Sequence, residues 1–88
     1  MGADEKLMIR IFGRKVPNDI TFKELSRFLI NNGFILQTHK GAHYNFKHPN
    51  LVYILTIDSH DERKPVNKVY INKVKEALEE LGINGEEK

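Results

Sequence analysis

The 88-residue sequence contains no cysteine, no tryptophan and only three prolines. Without cysteine, neither a disulfide nor a thiolate zinc site can stabilise the fold, and this composition fits a reducing cytoplasm. A long apolar run is also missing, since the longest nearly unbroken one is Leu51 to Ile57 and a membrane-spanning helix needs about 20 apolar residues. No charged segment followed by an apolar one opens the chain, so we expect no signal peptide, no membrane contact and a cytoplasmic location.

A chain of this length has room for one small domain with a single two-layer core. Its formal net charge of +2 conceals an uneven distribution, because residues 10–48 contain seven Lys or Arg against two acids, together with three of the four histidines. Residues 76–88 contain five Glu against one Lys. The central segment is therefore the better candidate for contact with an anionic partner; the alternative is that both segments are ordinary solvated surfaces.

A capping box predicts where the first helix of the domain begins. Thr21 precedes Glu24 by three residues, so the hydroxyl and the carboxylate can each accept a hydrogen bond from the backbone of the other residue. Apolar residues then recur at helical spacing, namely Phe22, Leu25, Phe28 and Leu29. The pair Asn32-Gly33 ends this pattern, so the sequence predicts a helix over about residues 22–32.

Three strands are expected next, because the apolar spacing changes from helical to alternating. The first strand begins at Phe34, and a turn at residues 40–42 leads into the second strand at residues 43–48. A second turn, at residues 49 and 50, precedes Leu51 to Ile57, which we expect to be the most buried strand, central or covered on both faces. Short strands joined by tight turns predict an antiparallel meander.

A polar segment, residues 58–66, contains Pro65 and predicts a loop before a second helix. This helix is expected to run from about Asn67 or Asn72 to Leu81, where Gly82 ends it. Its predicted inner face consists of Tyr70 or Ile71, followed by Val74, Leu78 and Leu81.

The two ends of the chain are assigned separately from the domain. Residues 1–20 are an N-terminal extension with a possible edge strand over residues 7–12, and residues 84–88 are expected to be a disordered tail. Between them, residues 21–83 are predicted to form an α+β domain made of a helix, a three-stranded antiparallel sheet and a second helix. Since each helix has one apolar side, both are expected on one face of the sheet, which leaves the other face open.

His43 is the candidate for chemistry, because it follows a glycine turn at the start of a strand. Imidazole titrates near neutrality, so His43 could act as a general base on a ribose 2′-hydroxyl or as a general acid toward the leaving 5′-oxygen. Such cleavage needs no metal or other cofactor, because the 2′-hydroxyl is an internal nucleophile. The alternative is an exposed strand histidine without a role. Gly41 would support the site by allowing the tight turn.

Four basic residues could bind the phosphates of an RNA. Lys40 and Lys47 lie on either side of His43, and Lys23 and Arg27 lie on the polar side of the first predicted helix. For each of them the alternative is a solvated surface charge.

Three further interpretations were weighed. A zinc site is conceivable at His39, His43 and His48, but these residues are spread over two strands and a turn without cysteine, so we expect no metal. His60, beside two aspartates, could orient a proton or a phosphate, although a polar loop of this kind is usually only solvated. Tyr44 and Phe46 could stack on bases, but they alternate with His43 and are therefore expected in the core.

Several motifs in this order resemble the HicA family, the toxin half of bacterial and archaeal toxin–antitoxin pairs. These motifs are Thr21-Phe22-Lys23-Glu24-Leu25, Asn32-Gly33-Phe34, Lys40-Gly41-Ala42-His43-Tyr44-Asn45-Phe46 with Pro49 after it, and Leu81-Gly82-Ile83. The resemblance covers about residues 21–83. It implies a fold like that of double-stranded-RNA-binding domains and a metal-independent endoribonuclease (mRNA interferase) whose catalytic histidine is His43.

The resemblance also implies a partner, a small HicB-like antitoxin protein that covers this histidine and the basic face. Two alternatives stay open: a non-catalytic RNA-binding module, and a degenerate toxin that acts only through antitoxin binding. The chain departs from the family pattern at Ala42, where Ser is usual, and at Asp58, where Pro is frequent. The loop from His60 to Asn72 is longer than usual, and the sequence does not identify a second proton-transfer residue.

Overall fold

A computed structural model describes residues 3–83 of the chain. Its elements follow one another as α1 (Ala3–Ile11), α2 (Phe22–Asn31), β1 (Ile35–Lys40), β2 (His43–Lys47), β3 (Leu55–Asp58) and α3 (Lys68–Glu80). The predicted α+β fold, with a helix, a three-stranded antiparallel sheet and a helix in this order, is confirmed for α2 to α3. The tail predicted at residues 84–88 lies outside the described residues.

The N-terminal extension forms a helix, so the prediction of an edge strand over residues 7–12 is wrong. Leu7 and Ile11 are one helical turn apart, and both are buried where α1 meets α2 and α3. Asp4 lies in the first turn and Arg10 in the last, so both charges complement the helix dipole. Contacts with helices distant in sequence therefore select the helical conformation, and a short stretch of sequence does not reveal them.

The capping box at the start of α2 is confirmed. The Thr21 hydroxyl accepts a hydrogen bond from the Glu24 backbone at 3.2 Å, and the Glu24 carboxylate accepts one from the Thr21 backbone at 3.0 Å. The helix ends before Gly33, whose φ of 96° is left-handed, and a Cβ at Gly33 would lie 2.9 Å from the ring of His48. Local sequence signals thus fix both ends of α2.

The sheet has the strand order β1-β2-β3, and both pairings are antiparallel. The central strand is β2, so the prediction that Leu51 to Ile57 forms a central strand is wrong. The third strand begins only at Leu55 and lies at the edge, and Val52 is 97% exposed. Residues 51–54 are outside the sheet because β2 ends at Lys47 and offers them no pairing partner.

The helices cover one face of this sheet. Phe46 of β2 and both Leu55 and Ile57 of β3 are buried on that face, whereas Asn45 and Thr56, which alternate with them, are partly accessible. This alternation confirms the expectation that the helices share one sheet face. Among residues 3–83, no helix combines the length and the apolar character that crossing a membrane requires.

Helix α3 begins at one of the two predicted positions. The side chain of Asn67 accepts a hydrogen bond from the Val69 backbone at 2.8 Å and caps the helix. Its buried residues are Ile71, Val74, Ala77 and Leu78. Tyr70 is only half-buried, which leaves its hydroxyl able to reach the end of the sheet.

Candidate functional site

A two-residue turn places His43 at the start of β2. Gly41 has a φ of 57°, and positive φ at the first central position is what a type II′ hairpin needs. The turn pairs Lys40 directly with His43 across the two strands. His39 Nε2 bonds the Gly41 carbonyl oxygen at 2.9 Å, which adds a side-chain restraint to the turn.

The residue after His43 is fixed by aromatic contacts on the helix-covered side. The ring of Tyr44 lies between His39, with centroids 4.1 Å apart and nearly parallel, and Phe22, with centroids 4.3 Å apart. Both faces of the Tyr44 ring are therefore occupied by the protein. This packing agrees with the expectation that Tyr44 belongs to the core side and fixes the backbone that presents His43.

His43 contacts Asp58 across the sheet. The two residues are register partners on β2 and β3, and Nδ1 of His43 lies 2.6 Å from Oδ1 of Asp58. The side chain of His43 is 64% exposed, and that of Asp58 is 33% exposed. Nε2 of His43 makes no hydrogen bond within residues 3–83. One ring nitrogen is therefore held by the protein, and the other is accessible to a ligand.

Tyr70 completes a chain of three side chains. Its hydroxyl donates a hydrogen bond to Oδ2 of Asp58 at 2.9 Å. Hydrogen bonds from His43 and then from Tyr70 lower the pKa of Asp58, so this carboxyl is ionised at neutral pH. The bond to Asp58 and partial burial raise the pKa of Tyr70, which keeps its proton. An ionised carboxylate only accepts hydrogen bonds, which assigns the proton to Nδ1 of His43 and leaves a lone pair on Nε2.

Sequence reasoning missed the contacts of Asp58 and Tyr70 with this site. A signal for Asp58 was available, because a hairpin centred between residues 50 and 51 places residue 43 opposite residue 58. No comparable signal exists for Tyr70, since its position depends on how α3 packs against the sheet.

The four predicted phosphate-binding residues fall into separate places. Lys40 is the cross-strand neighbour of His43, and such neighbours have Cβ atoms about 5 Å apart. Lys47 shares the open sheet face but lies four residues further along β2, about 13 Å away. Lys23 and Arg27 line a groove between α1 and α2, in the helical layer on the other side of the sheet. Only Lys40 is thus brought next to His43.

Polar side chains cross the middle of the open face. The side-chain amide of Asn45 donates a hydrogen bond to the Thr38 hydroxyl at 2.7 Å, and its oxygen accepts one from the Thr56 hydroxyl at 2.6 Å. These bonds join all three strands. The open face therefore has a polar, ordered centre between His43 and Lys47.

The structure separates the three histidines that were weighed as a zinc site. His39 stacks on Tyr44, His43 contacts Asp58, and His48 packs edge-on against Phe34 with centroids 5.0 Å apart. Within residues 3–83, no group of three or more His, Cys, Asp or Glu side chains is arranged to hold a metal ion. His60 is exposed in the loop after β3.

Comparisons with known proteins were made for the whole chain. A family model described as the HicA toxin of bacterial toxin–antitoxin systems matches residues 22–83. Neither curated proteins nor solved structures gave a significant match. The matched segment contains the hairpin with His43 and extends through α3, whereas α1 precedes it.

Proposed function

The chain belongs to the HicA toxin family, and from this premise we propose that it is a metal-independent endoribonuclease that cleaves mRNA with His43 as its proton-transfer group. Membership makes it the toxin of a toxin–antitoxin pair, with an antitoxin as its partner. The observation that carries the proposal is the state of His43: Nδ1 is bound to Asp58, while Nε2 is accessible beside Lys40.

In the proposed reaction, Nε2 of His43 accepts the proton of a ribose 2′-hydroxyl. The 2′-oxygen then attacks the adjacent phosphorus, the bond from phosphorus to the 5′-oxygen breaks, and the departing oxygen takes a proton from solvent. The products are a 2′,3′-cyclic phosphate and a 5′-hydroxyl end. General base catalysis of this kind contributes about 10²- to 10⁴-fold to the rate.

The lysines of the open face have different roles in this proposal. Lys40 lies where its ammonium group can contact a non-bridging oxygen of the reacting phosphate and stabilise the charge that develops there. Lys47 is too far along β2 for the same phosphate and binds the RNA further along its backbone. Lys23 and Arg27 remain predicted RNA contacts, for a segment that reaches the helical side of the protein.

The test is cleavage of a long transcript by purified protein in excess chelator. We expect the wild-type protein to degrade it and His43→Ala to leave it intact, while circular dichroism shows an unchanged fold because His43 is largely exposed. His60→Gln is the matched control, since it removes an exposed imidazole that makes no contact with Asp58. This control should cleave like the wild type.

Two results would contradict the proposal. Full cleavage by His43→Ala would remove His43 from the reaction, and a mobility shift without cleavage by the wild-type protein would favour a non-catalytic RNA-binding module. A substrate with a single 2′-deoxy residue at the cleavage position provides a further check, because it lacks the nucleophile and should resist cleavage there.

The antitoxin is proposed to be a HicB-like protein that acts by covering His43 and the adjacent Lys40. We therefore expect His43→Ala to lose growth inhibition in cells and to keep its affinity for the antitoxin, since truncation of one exposed side chain leaves most of the surface intact. Pull-down with the protein encoded by the adjacent reading frame measures this affinity. Loss of growth inhibition together with loss of antitoxin binding would point to a folding defect instead.

A further inference from the structure

We propose that Asp58 and Tyr70 are positioning residues for His43: together they select which imidazole nitrogen faces the RNA and hold the ring in one orientation. The inference rests on the proposed function, because it specifies how the reacting histidine of that site is prepared. Neither residue is assigned a contact with the substrate.

Asp58 is held from two sides. Its Oδ1 bonds Nδ1 of His43 at 2.6 Å, and its Oδ2 accepts the hydroxyl proton of Tyr70 at 2.9 Å. A carboxylate with one partner can rotate about its terminal torsion, which is a broad and soft coordinate. With both oxygens engaged, rotation breaks at least one hydrogen bond, so the acceptor for His43 stays in place.

Tyr70 is itself carried by a rigid element. It lies in the first turn of α3, between the capping residue Asn67 and the buried Ile71. The ammonium group of Lys73 lies 5.8 Å from the centroid of its ring, which adds a cation–π contact. Three elements, β2, β3 and α3, therefore converge on the carboxylate of Asp58, and a site supported in this way is more precise than one held by a loop.

The consequence for His43 concerns its tautomer and its charged form. An ionised Asp58 can only accept, so the neutral ring keeps its proton on Nδ1 and presents the lone pair of Nε2 outward. When Nε2 takes a proton, the resulting imidazolium lies next to a negative charge, which stabilises the state formed during the transfer. The lowered pKa of Asp58 and the raised pKa of Tyr70 agree with this arrangement, because both shifts maintain the ionised acceptor and the neutral donor.

Two conservative variants test the two residues. Asp58→Asn keeps the size of the side chain but removes its charge, so both tautomers of His43 become populated. Tyr70→Phe keeps the ring and removes only the hydroxyl that restrains Asp58. Asp61→Asn and Tyr53→Phe are the matched controls, since Asp61 pairs with Arg63 in the loop and Tyr53 lies near the acidic side chains of α3.

The first measurement is the ¹⁵N chemical shift of the two ring nitrogens of His43 in the full-length protein at mildly alkaline pH. We expect the wild type and both controls to show one tautomer, with the proton on Nδ1. Asp58→Asn should give averaged shifts, and Tyr70→Phe should give a smaller change in the same direction. A merely structural role for either residue would alter folding but would not convert one tautomer into a mixture.

The second measurement is steady-state cleavage of a short RNA. Asp58→Asn should lower kcat about 10²-fold or more and Tyr70→Phe about 3- to 10-fold, with KM unchanged within about 2-fold, because positioning acts on the reaction rather than on RNA binding. Unchanged ¹⁵N shifts and wild-type kcat in both variants, with His43→Ala inactive, would overturn this inference alone. Cleavage by His43→Ala at the wild-type rate would overturn the proposed function instead, while the ¹⁵N shifts would still report the geometry.

Discussion

The two ends of the open sheet face differ in how their side chains are held. At the His43 end, defined by Lys40, His43 and Asp58, hydrogen bonds fix an imidazole, a carboxylate and a tyrosine hydroxyl before any ligand arrives. At the distal end, defined by Ile35, Lys47, Val52 and Ile54, apolar side chains are accessible, with Ile35 53% and Ile54 46% exposed. Ordered polar contacts are typical of a reacting site, whereas loosely held exposed groups can only supply contact area.

The way the strands are joined explains this difference. A two-residue turn at Gly41 closes β1 and β2 next to His43, and the Ser59 backbone donates a hydrogen bond to the Ala42 carbonyl at 2.8 Å, so all three strands are tied together there. At the distal end, β2 and β3 separate into the segment 48–54, which has no strand partner. Backbone restraint is therefore concentrated where the proposed chemistry lies.

The largest difference between the ends is expected from their lysines. Lys40→Gln should lower kcat for RNA cleavage about 10²-fold, because the reacting phosphate loses the cation beside His43. Lys47→Gln should leave kcat near the wild-type value and raise KM about 2- to 5-fold, because this residue binds RNA away from the reacting phosphate. Steady-state kinetics on a short RNA measures both constants.

Salt dependence provides the control for the two lysine variants. Each lost phosphate contact should reduce the slope of log K against log salt concentration by about 1, whichever end it comes from. Equal losses in kcat for the two variants would mean that both ends act on the reacting phosphate, and the distinction between them would fail.

A pair of glycines tests whether the turn matters to the site beyond its contribution to stability. Gly41 and Gly82 have φ values of 57° and 79°, and an added Cβ meets no atom within 4 Å at either position. Gly41→Ala and Gly82→Ala should therefore each cost about 1–2 kcal/mol of backbone strain in urea unfolding. Only Gly41→Ala should also lower RNA cleavage, because Gly82 ends α3 away from His43. Equal cleavage by the two variants would show that the turn does not set the position of His43.

Asp58 makes the stability of the His43 end dependent on acid. Its pKa is lowered in the folded protein from its ordinary value of 3.8, so the contribution to stability is complete above that value and is lost as pH falls through the folded pKa. Asp58→Asn should remove this loss, and its urea midpoint should change less than that of the wild type below about pH 4. Parallel curves for the two proteins would indicate that Asp58 has the same pKa in the folded and unfolded chain.

Local signals in the sequence predicted the parts of the fold that local interactions determine. The capping box and Gly33 gave both ends of α2, and the glycine turn gave the position of His43 and its neighbour Lys40. The error at residues 7–12 has a different origin, because α1 is helical through the burial of Leu7 and Ile11 against two helices far along the chain. An apolar segment of that length does not distinguish a helix from a strand.

Long-range pairing explains the remaining differences from the sequence-based predictions. The run Leu51 to Ile57 has the composition of a buried strand, but only residues opposite β2 can pair, so the strand starts at Leu55. The partners of His43 are equally non-local: Asp58 is 15 residues away and Tyr70 is 27 residues away along the chain. A sequence without strand register and helix packing therefore identifies the reacting group but not the residues that hold it.

The smallest effect is expected at the distal end, where Val52 is 97% exposed. Val52→Ser removes almost no buried apolar surface, so the free energy of unfolding should change by no more than about 0.5 kcal/mol, and RNA cleavage should stay at the wild-type level. Phe46→Ala, which empties a buried position beneath the same sheet, is the reference and should cost about 3–5 kcal/mol. Urea unfolding at two protein concentrations measures both variants. A loss above about 1 kcal/mol for Val52→Ser, outside the range of an isolated surface change, would mean that Val52 packs against something in solution, and the distal end would then be as organised as the His43 end.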